Sequence, residues 1–128
     1  MPATKILVVD DHAIVREGLK TILAKTSDFE IAGEAANAPD AMSLLRRVPV
    51  DLVLLDIGLP GKTGVDLLKA IKAELPKLPV LVLSTYPEDQ YALRVLKQGA
   101  AGYLTKESAP ELLTNAVRKV AAGGKYVS

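Results

Sequence analysis

The chain of 128 residues has no cysteine, no tryptophan and a single phenylalanine. Without cysteine there are no disulfides, no thiol nucleophile and no thiolate metal site. With so few aromatic rings the core must be built from Val, Leu, Ile and Ala, a composition that suits a buried parallel sheet. An excess of charge of one sign is also missing. Sixteen Lys and Arg stand against fifteen Asp and Glu, for a formal net charge of +1. The basic residues are scattered rather than striped, so this stretch is a poor candidate for touching nucleic acid itself. No apolar run approaches the roughly 20 residues that span a bilayer. The N-terminus passes into a strand-like run with no charged and apolar leader ahead of it. A single cytoplasmic domain with no membrane contact is expected, long enough to bury a core without staples.

Short apolar runs alternate with longer amphipathic stretches. Lys5-Ile6-Leu7-Val8-Val9 is a continuous apolar run ending in Asp10 and Asp11, which predicts a strand buried on both faces. From His12 to Lys25 the period changes, and Val15, Leu19, Ile22 and Leu23 share one helical face. Glu30 to Ala35 reads as a second strand, and Asn37-Ala38-Pro39-Asp40 as a helix start. The third strand, Asp51 to Leu55, ends at Asp56 and meets a loop at Gly58-Leu59-Pro60-Gly61. A third helix follows over Val65 to Leu75, then a fourth strand over Val80 to Leu83 that ends at Ser84. Glu88 to Gln98 is a fourth helix closed by Gly99. The fifth strand, Gly102 to Thr105, is followed by Lys106. Ser108 and Glu111 have the spacing of a capping box and open a fifth helix that stops at Gly123-Gly124. Five strands alternating with five helices predict a doubly wound (βα)5 fold, a parallel sheet with helices on both faces.

In such a sheet, ligands bind outside the carboxyl ends of the strands. The residues expected there are Asp10 and Asp11, Asp56, Ser84 and Lys106. Three carboxylates without Cys form a hard oxygen site suited to Mg²⁺ or Mn²⁺. Acids a few ångströms apart repel by about 3 kcal/mol per pair at an effective dielectric near 20, which a divalent cation relieves. A carboxylate in that setting can attack phosphorus, with the cation and a lysine neutralising the charge that develops. Each residue also has a duller reading: Asp11 as a helix cap, Lys106 as a solvated cation, Ser84 as a turn hydroxyl. Their recurrence at successive strand ends is what makes them a site. Two patterns are set aside. Gly61-Lys62-Thr63 resembles the end of a phosphate-binding loop, but the pattern needs glycine where Asp56 stands. His12, the only histidine, could join the acids on a transition metal, but is expected to face solvent at the start of a helix.

Val8-Val9-Asp10-Asp11-His12, Leu54-Leu55-Asp56-Ile57-Gly58-Leu59-Pro60-Gly61, Leu83-Ser84-Thr85 and Gly99-Ala100-Ala101-Gly102-Tyr103-Leu104-Thr105-Lys106 are the motifs that carry a family resemblance. The chain resembles response-regulator receiver domains, the CheY-like family, over essentially its whole length. Its Asp-Asp-His opening and Gly-Gly-Lys-Tyr-Val ending are most similar to the NarL/FixJ subfamily with a LuxR-type helix-turn-helix output.

The resemblance implies a flavodoxin-like three-layer sandwich with sheet order 2-1-3-4-5. It also implies that Asp56 accepts a phosphoryl group from a histidine kinase. Asp11, Asp56 and the Gly58 carbonyl would bind Mg²⁺ directly, with Asp10 acting through water. Lys106 would pair with the phosphoryl group, Ser84 would move to it, and Tyr103 would rotate into the space Ser84 leaves. The implied protein is a switch, not an enzyme with a turned-over substrate. Residues 1–122 would be the receiver and 123–128 the start of a linker toward a DNA-binding domain. Phosphorylation could bring a homodimer, through helices one and five, the preferred reading, or through the fourth helix, fifth strand and fifth helix. Tyr91, Leu93 and Val95 are expected to place apolar groups beside Tyr103.

Two departures stand out: Glu107 replaces a frequent proline, which disfavours a cis bond there, and Thr85 replaces a frequent alanine. A phosphatase or phosphotransferase on a doubly wound sheet is the competing class; it typically needs a second Asp two residues after the nucleophile, where this chain has Gly58. A single-domain shuttle that docks on another protein is a third.

Overall fold

A computed structural model describes residues 3–57, 64–84 and 88–127, with the side chains of 88–91 outside that description. Along the chain run β1 (Thr4–Val9), α1 (Ala13–Leu23), β2 (Phe29–Ala35), α2 (Ala38–Arg47), β3 (Leu52–Asp56), α3 (Gly64–Glu74), β4 (Val80–Ser84), α4 (Glu88–Lys97), β5 (Gly102–Thr105), α5 (Ala109–Ala121) and β6 (Tyr126–Val127). The strands form one parallel sheet in the order β2-β1-β3-β4-β5-β6. The expected 2-1-3-4-5 order is therefore present, extended by a sixth strand made from the tail.

Alternation along the strands divides the core in two. Leu7 and Val9 of β1, with Val53 and Leu55 of β3, pack against Ala41 of α2, Leu67, Leu68 and Ile71 of α3, and Val95 of α4. Ile6, Val8, Leu52 and Leu54 face the other way, onto Leu19 and Leu23 of α1 and Leu113, Ala116, Val117 and Val120 of α5. The strands read as unbroken apolar runs because both faces are covered. The result is a three-layer sandwich with α1 and α5 on one side.

Several helix ends follow their local chemistry. Asn37 caps α2, its side chain accepting the Asp40 N–H at 2.9 Å, and a proline occupies the first turn. Gly99 ends α4 with φ +104°, the left-handed conformation that favours glycine. The capping box expected at Ser108 does not form. Ser108 is already helical (φ −83°, ψ −14°) and its side chain makes no cap bond. Its hydroxyl pairs instead with Thr105 Oγ1 at 2.8 Å, at the end of β5. Tyr126 donates its N–H to the Ala101 carbonyl at 3.0 Å, and β6 then runs beside Gly102 and Tyr103. Gly102 is required there, since a Cβ would stand 2.5 Å from the Tyr126 carbonyl oxygen.

Candidate functional site

Strand order reverses between β1 and β3, which opens the crevice where doubly wound sheets bind their ligands. Register then selects which residues meet. Val9 pairs with Leu55, Asp56 with Leu83, and Ser84 with Thr105. One residue further on, Asp10 and Lys106 are delivered to the same edge as Asp56. Asp10, Asp56 and Ser84 are buried on the rim of an apolar layer, 1%, 5% and 1% exposed.

Lys106 holds the centre. Its ammonium is 2.9 Å from Asp10 Oδ2 and 3.4 Å from Asp56 Oδ2. Burial pushes its pKa down, but the hydrogen bond to Asp10 and the charges of Asp56 and Asp10 outweigh that, and the net shift is upward. Lys106 therefore stays charged, and a sequence reading that left the acids to repel one another missed this partner. Its backbone N–H is tied to the Ser84 carbonyl at 2.8 Å, which fixes its position on the edge. There is no cis peptide bond among the described residues, consistent with Glu107 in place of proline.

Asp10 is held from several directions. Its Oδ1 accepts the His12 N–H at 2.9 Å, and its carbonyl accepts from Arg16 Nη1 at 2.6 Å. Asp11 is not the cap of α1, because His12 occupies that position with extended backbone. Instead Asp11 Oδ1 is buried without a hydrogen bond, and His12 Nδ1 stands 3.1 Å from it. Ligand atoms of Asp10, Asp11, His12 and Asp56 all lie within 4.8 Å of one another. That spread suits one cation, and an orphaned buried acceptor among carboxylates suits a hard one. The residues fit Mg²⁺ or Mn²⁺.

Sequence reasoning missed two supports. Arg16 reaches both the Asp10 carbonyl and Glu34, with its Nε 3.0 Å from Glu34 Oε1. Glu34 also meets Lys20 at 2.7 Å, and the hydrogen bond from Lys20 leads in lowering the Glu34 pKa. Arg16 and Lys20 are one helical turn apart on α1, a spacing that signals a shared anionic partner. The second support is Gly64. A Cβ there would stand 2.4 Å from the Ile57 Cα and 2.6 Å from the Asp56 carbonyl oxygen. The start of α3 thus lies against the backbone that carries Asp56, and Gly64 donates its N–H to the Ile57 carbonyl at 2.9 Å.

Tyr103 is fully buried, in the same core layer as Ala92 and Val95. The implied inward rotation would end in a buried ring, and the ring is already buried here. Of the apolar residues expected beside it, Val95 is buried, but Leu93 is 64% exposed. Residues two apart on a helix do not share a face. The side chain of Tyr91, and all of Gly58, Thr85 and Gly61-Lys62-Thr63, lie outside the described residues.

The model of the response regulator receiver domain matches residues 6–118. The chain belongs to that family. It is 38% identical over 123 residues to the transcriptional regulatory protein DegU of Brevibacillus brevis, covering 96% of this chain and 52% of that one. It is 36% identical over 124 residues to the response regulator GacA of Pseudomonas aeruginosa, covering 97% of this chain and 58% of that one. A two-component response regulator of the LuxR family from Aurantimonas sp. SI85-9A1 superposes with a TM-score of 0.92 at 32% identity, over 97% of this receiver domain and 89% of that chain. The receiver domain spans a little over half the length of these curated relatives.

Proposed function

We propose that this receiver domain is a phosphorylation switch whose acceptor is Asp56. The observation that carries the reading is a carboxylate only 5% exposed, at the end of β3, beside a lysine whose charge is stabilised and within one cluster with Asp10 and Asp11. An Asp56 oxygen bonds to phosphorus as the phosphorus–nitrogen bond of a kinase phosphohistidine breaks, and the leaving imidazole takes up a proton. Asp11, Asp56 and the Gly58 carbonyl would hold Mg²⁺ directly, and Asp10 through water. That ion supplies neutralisation of the transferring group's charge. Lys106 adds a second positive charge and releases its hold on Asp56 as the phosphoryl group arrives. Ser84, at the end of the neighbouring strand, donates to a phosphoryl oxygen. Tyr103, on the far side of β4, reports the change.

The remainder of the reading follows the relatives. Residues 1–122 would be the receiver, and the segment from residue 123 would lead to a DNA-binding domain through which transcription is controlled, in the cytoplasm. A homodimer is proposed through α1 and α5, which pack side by side; on α1, Ile14 is 86% exposed. No helix of the described residues is long and apolar enough to cross a membrane.

Acetyl phosphate with Mg²⁺ should add one phosphoryl group, labile to base and hydroxylamine, and Asp56→Asn should abolish it. Mass spectrometry that finds the group on Ser84 or Thr85 would overturn the assignment.

A further inference from the structure

The cation site just described rests on oxygen donors, yet the chain's single imidazole stands inside it. His12 Nδ1 is 3.2 Å from Asp10 Oδ1 and 3.1 Å from Asp11 Oδ1. One ligand atom from each of Asp10, Asp11, His12 and Asp56 lies within 4.8 Å of the others. Ligands on opposite sides of a small divalent ion, each at about 2.0–2.3 Å, are separated by no more than this. Backbone geometry delivers the ring: His12 caps α1, and its N–H is committed to Asp10 Oδ1. The side chain of His12 is 64% exposed. A neutral imidazole that gives its Nδ1 lone pair to a metal carries its proton on Nε2, and an exposed ring leaves that proton to water.

We propose that His12 is a ligand of the receiver's cation site and tilts it toward first-row transition ions over Mg²⁺. The inference rests on the reading of Asp10, Asp11 and Asp56 as a cation site. Mg²⁺ takes oxygen ligands in an octahedral shell and gains little from imidazole. Co²⁺ and Zn²⁺ bind nitrogen readily, and affinity rises from Mn²⁺ through Co²⁺ along the Irving–Williams order. A mixed site of carboxylates and one imidazole therefore separates the two classes of ion, where carboxylates alone separate them less. Asp11 gains as well, since its buried oxygen, which takes no hydrogen bond, becomes a ligand beside the ring.

The test uses the full chain without an affinity tag, so that His12 remains the only imidazole. Affinities for Mg²⁺, Mn²⁺ and Co²⁺ are measured for the wild type, His12→Ala and His12→Gln. Loss of a direct ligand should weaken Co²⁺ by about tenfold or more, Mn²⁺ by less, and Mg²⁺ by no more than about twofold. Zn²⁺ should shift the imidazole Nδ1 resonance in the wild type, and Mg²⁺ should leave it in place. Equal losses for all ions in the variants, or no loss for Co²⁺, would overturn the role of His12 while leaving the cation site standing. A wild-type chain that binds none of these ions would overturn the site itself and the inference with it.

Discussion

The two ends of one sheet make opposite use of the same core. At the carboxyl end, Asp10, Asp56 and Ser84 are buried against an apolar layer, and one lysine serves two of the acids. At the amino end lies a groove of about 550 Å³ between the α2–β3 and α3–β4 connections, lined by Leu45, Pro49, Leu75, Pro76 and Pro79. Its acids are already occupied: Asp51 accepts the Lys5 N–H at 2.9 Å, and Glu74 pairs with Arg46 at 2.7 Å. Room is plentiful there, and both of its acids are spent on pairs within the fold. At the other end three polar side chains are buried together, and Lys106 stands between two of the acids. Buried charged groups gathered at one edge mark chemistry more reliably than volume does.

The largest effect that would test this contrast comes from Gly64. Gly64→Ala forces a methyl group into the backbone beneath Asp56 and should cost about 3 kcal/mol or more, with loss of phosphorylation in whatever folds. Denaturant unfolding and labelling with acetyl phosphate measure both. A variant as stable and active as the wild type would show that α3 does not support Asp56.

Next in size is Lys106→Met, which keeps the apolar stem and removes the charge. Stranding two buried carboxylates should cost about 2–3 kcal/mol, below the range for a fully buried pair because the lysine is 18% exposed. Mg²⁺ should then raise the melting temperature more than in the wild type, since ammonium and metal no longer compete for the same oxygens. The pair also has a pH signature. A lysine whose pKa is raised on folding contributes stability that is complete below the unfolded value of about 10.4 and disappears only as pH rises through the higher folded value. Stability of the wild type should therefore outlast that of Lys106→Met up to about pH 10 and converge on it above.

Asp11→Asn should do less. The sequence alone suggests that crowded acids destabilise the metal-free fold, but Lys106 already offsets two of them. Removing the third charge should stabilise the metal-free chain by less than about 1 kcal/mol and abolish most of the Mg²⁺ response. Thermal melts with and without Mg²⁺ decide it; an intact response would remove Asp11 from the site. The smallest effect belongs to the opposite end. Leu75→Ala, at a residue 37% exposed on the groove, should change stability by no more than about 1 kcal/mol and leave labelling untouched.

What was legible in the sequence follows the distance over which information acts. Strands showed as apolar runs because both faces are buried, and strand ends showed the acids because the polar residue comes where the run stops. Gly99 and Asn37 were readable because a turn and a cap are local events. Ser108 failed because its hydroxyl had a competitor, Thr105, brought by β5. The ion pair of Lys106 with Asp10 joins β1 to β5, and the clash at Gly64 joins α3 to β3. Neither has a local pattern. Leu93 was misassigned by counting apolar residues without their helical angle.

The short strand β6 has a consequence for solubility. A parallel sheet stops at strands whose outer N–H and C=O groups face outward, ready to pair with another chain. On this side of the molecule the terminal pairing is supplied from within, by two residues laid over Gly102 and Tyr103. Only a residue without a side chain at position 102 lets that cover close. A bulkier residue there would uncover a β-prone strand, and the same hydrogen-bonding groups would become a template for aggregation.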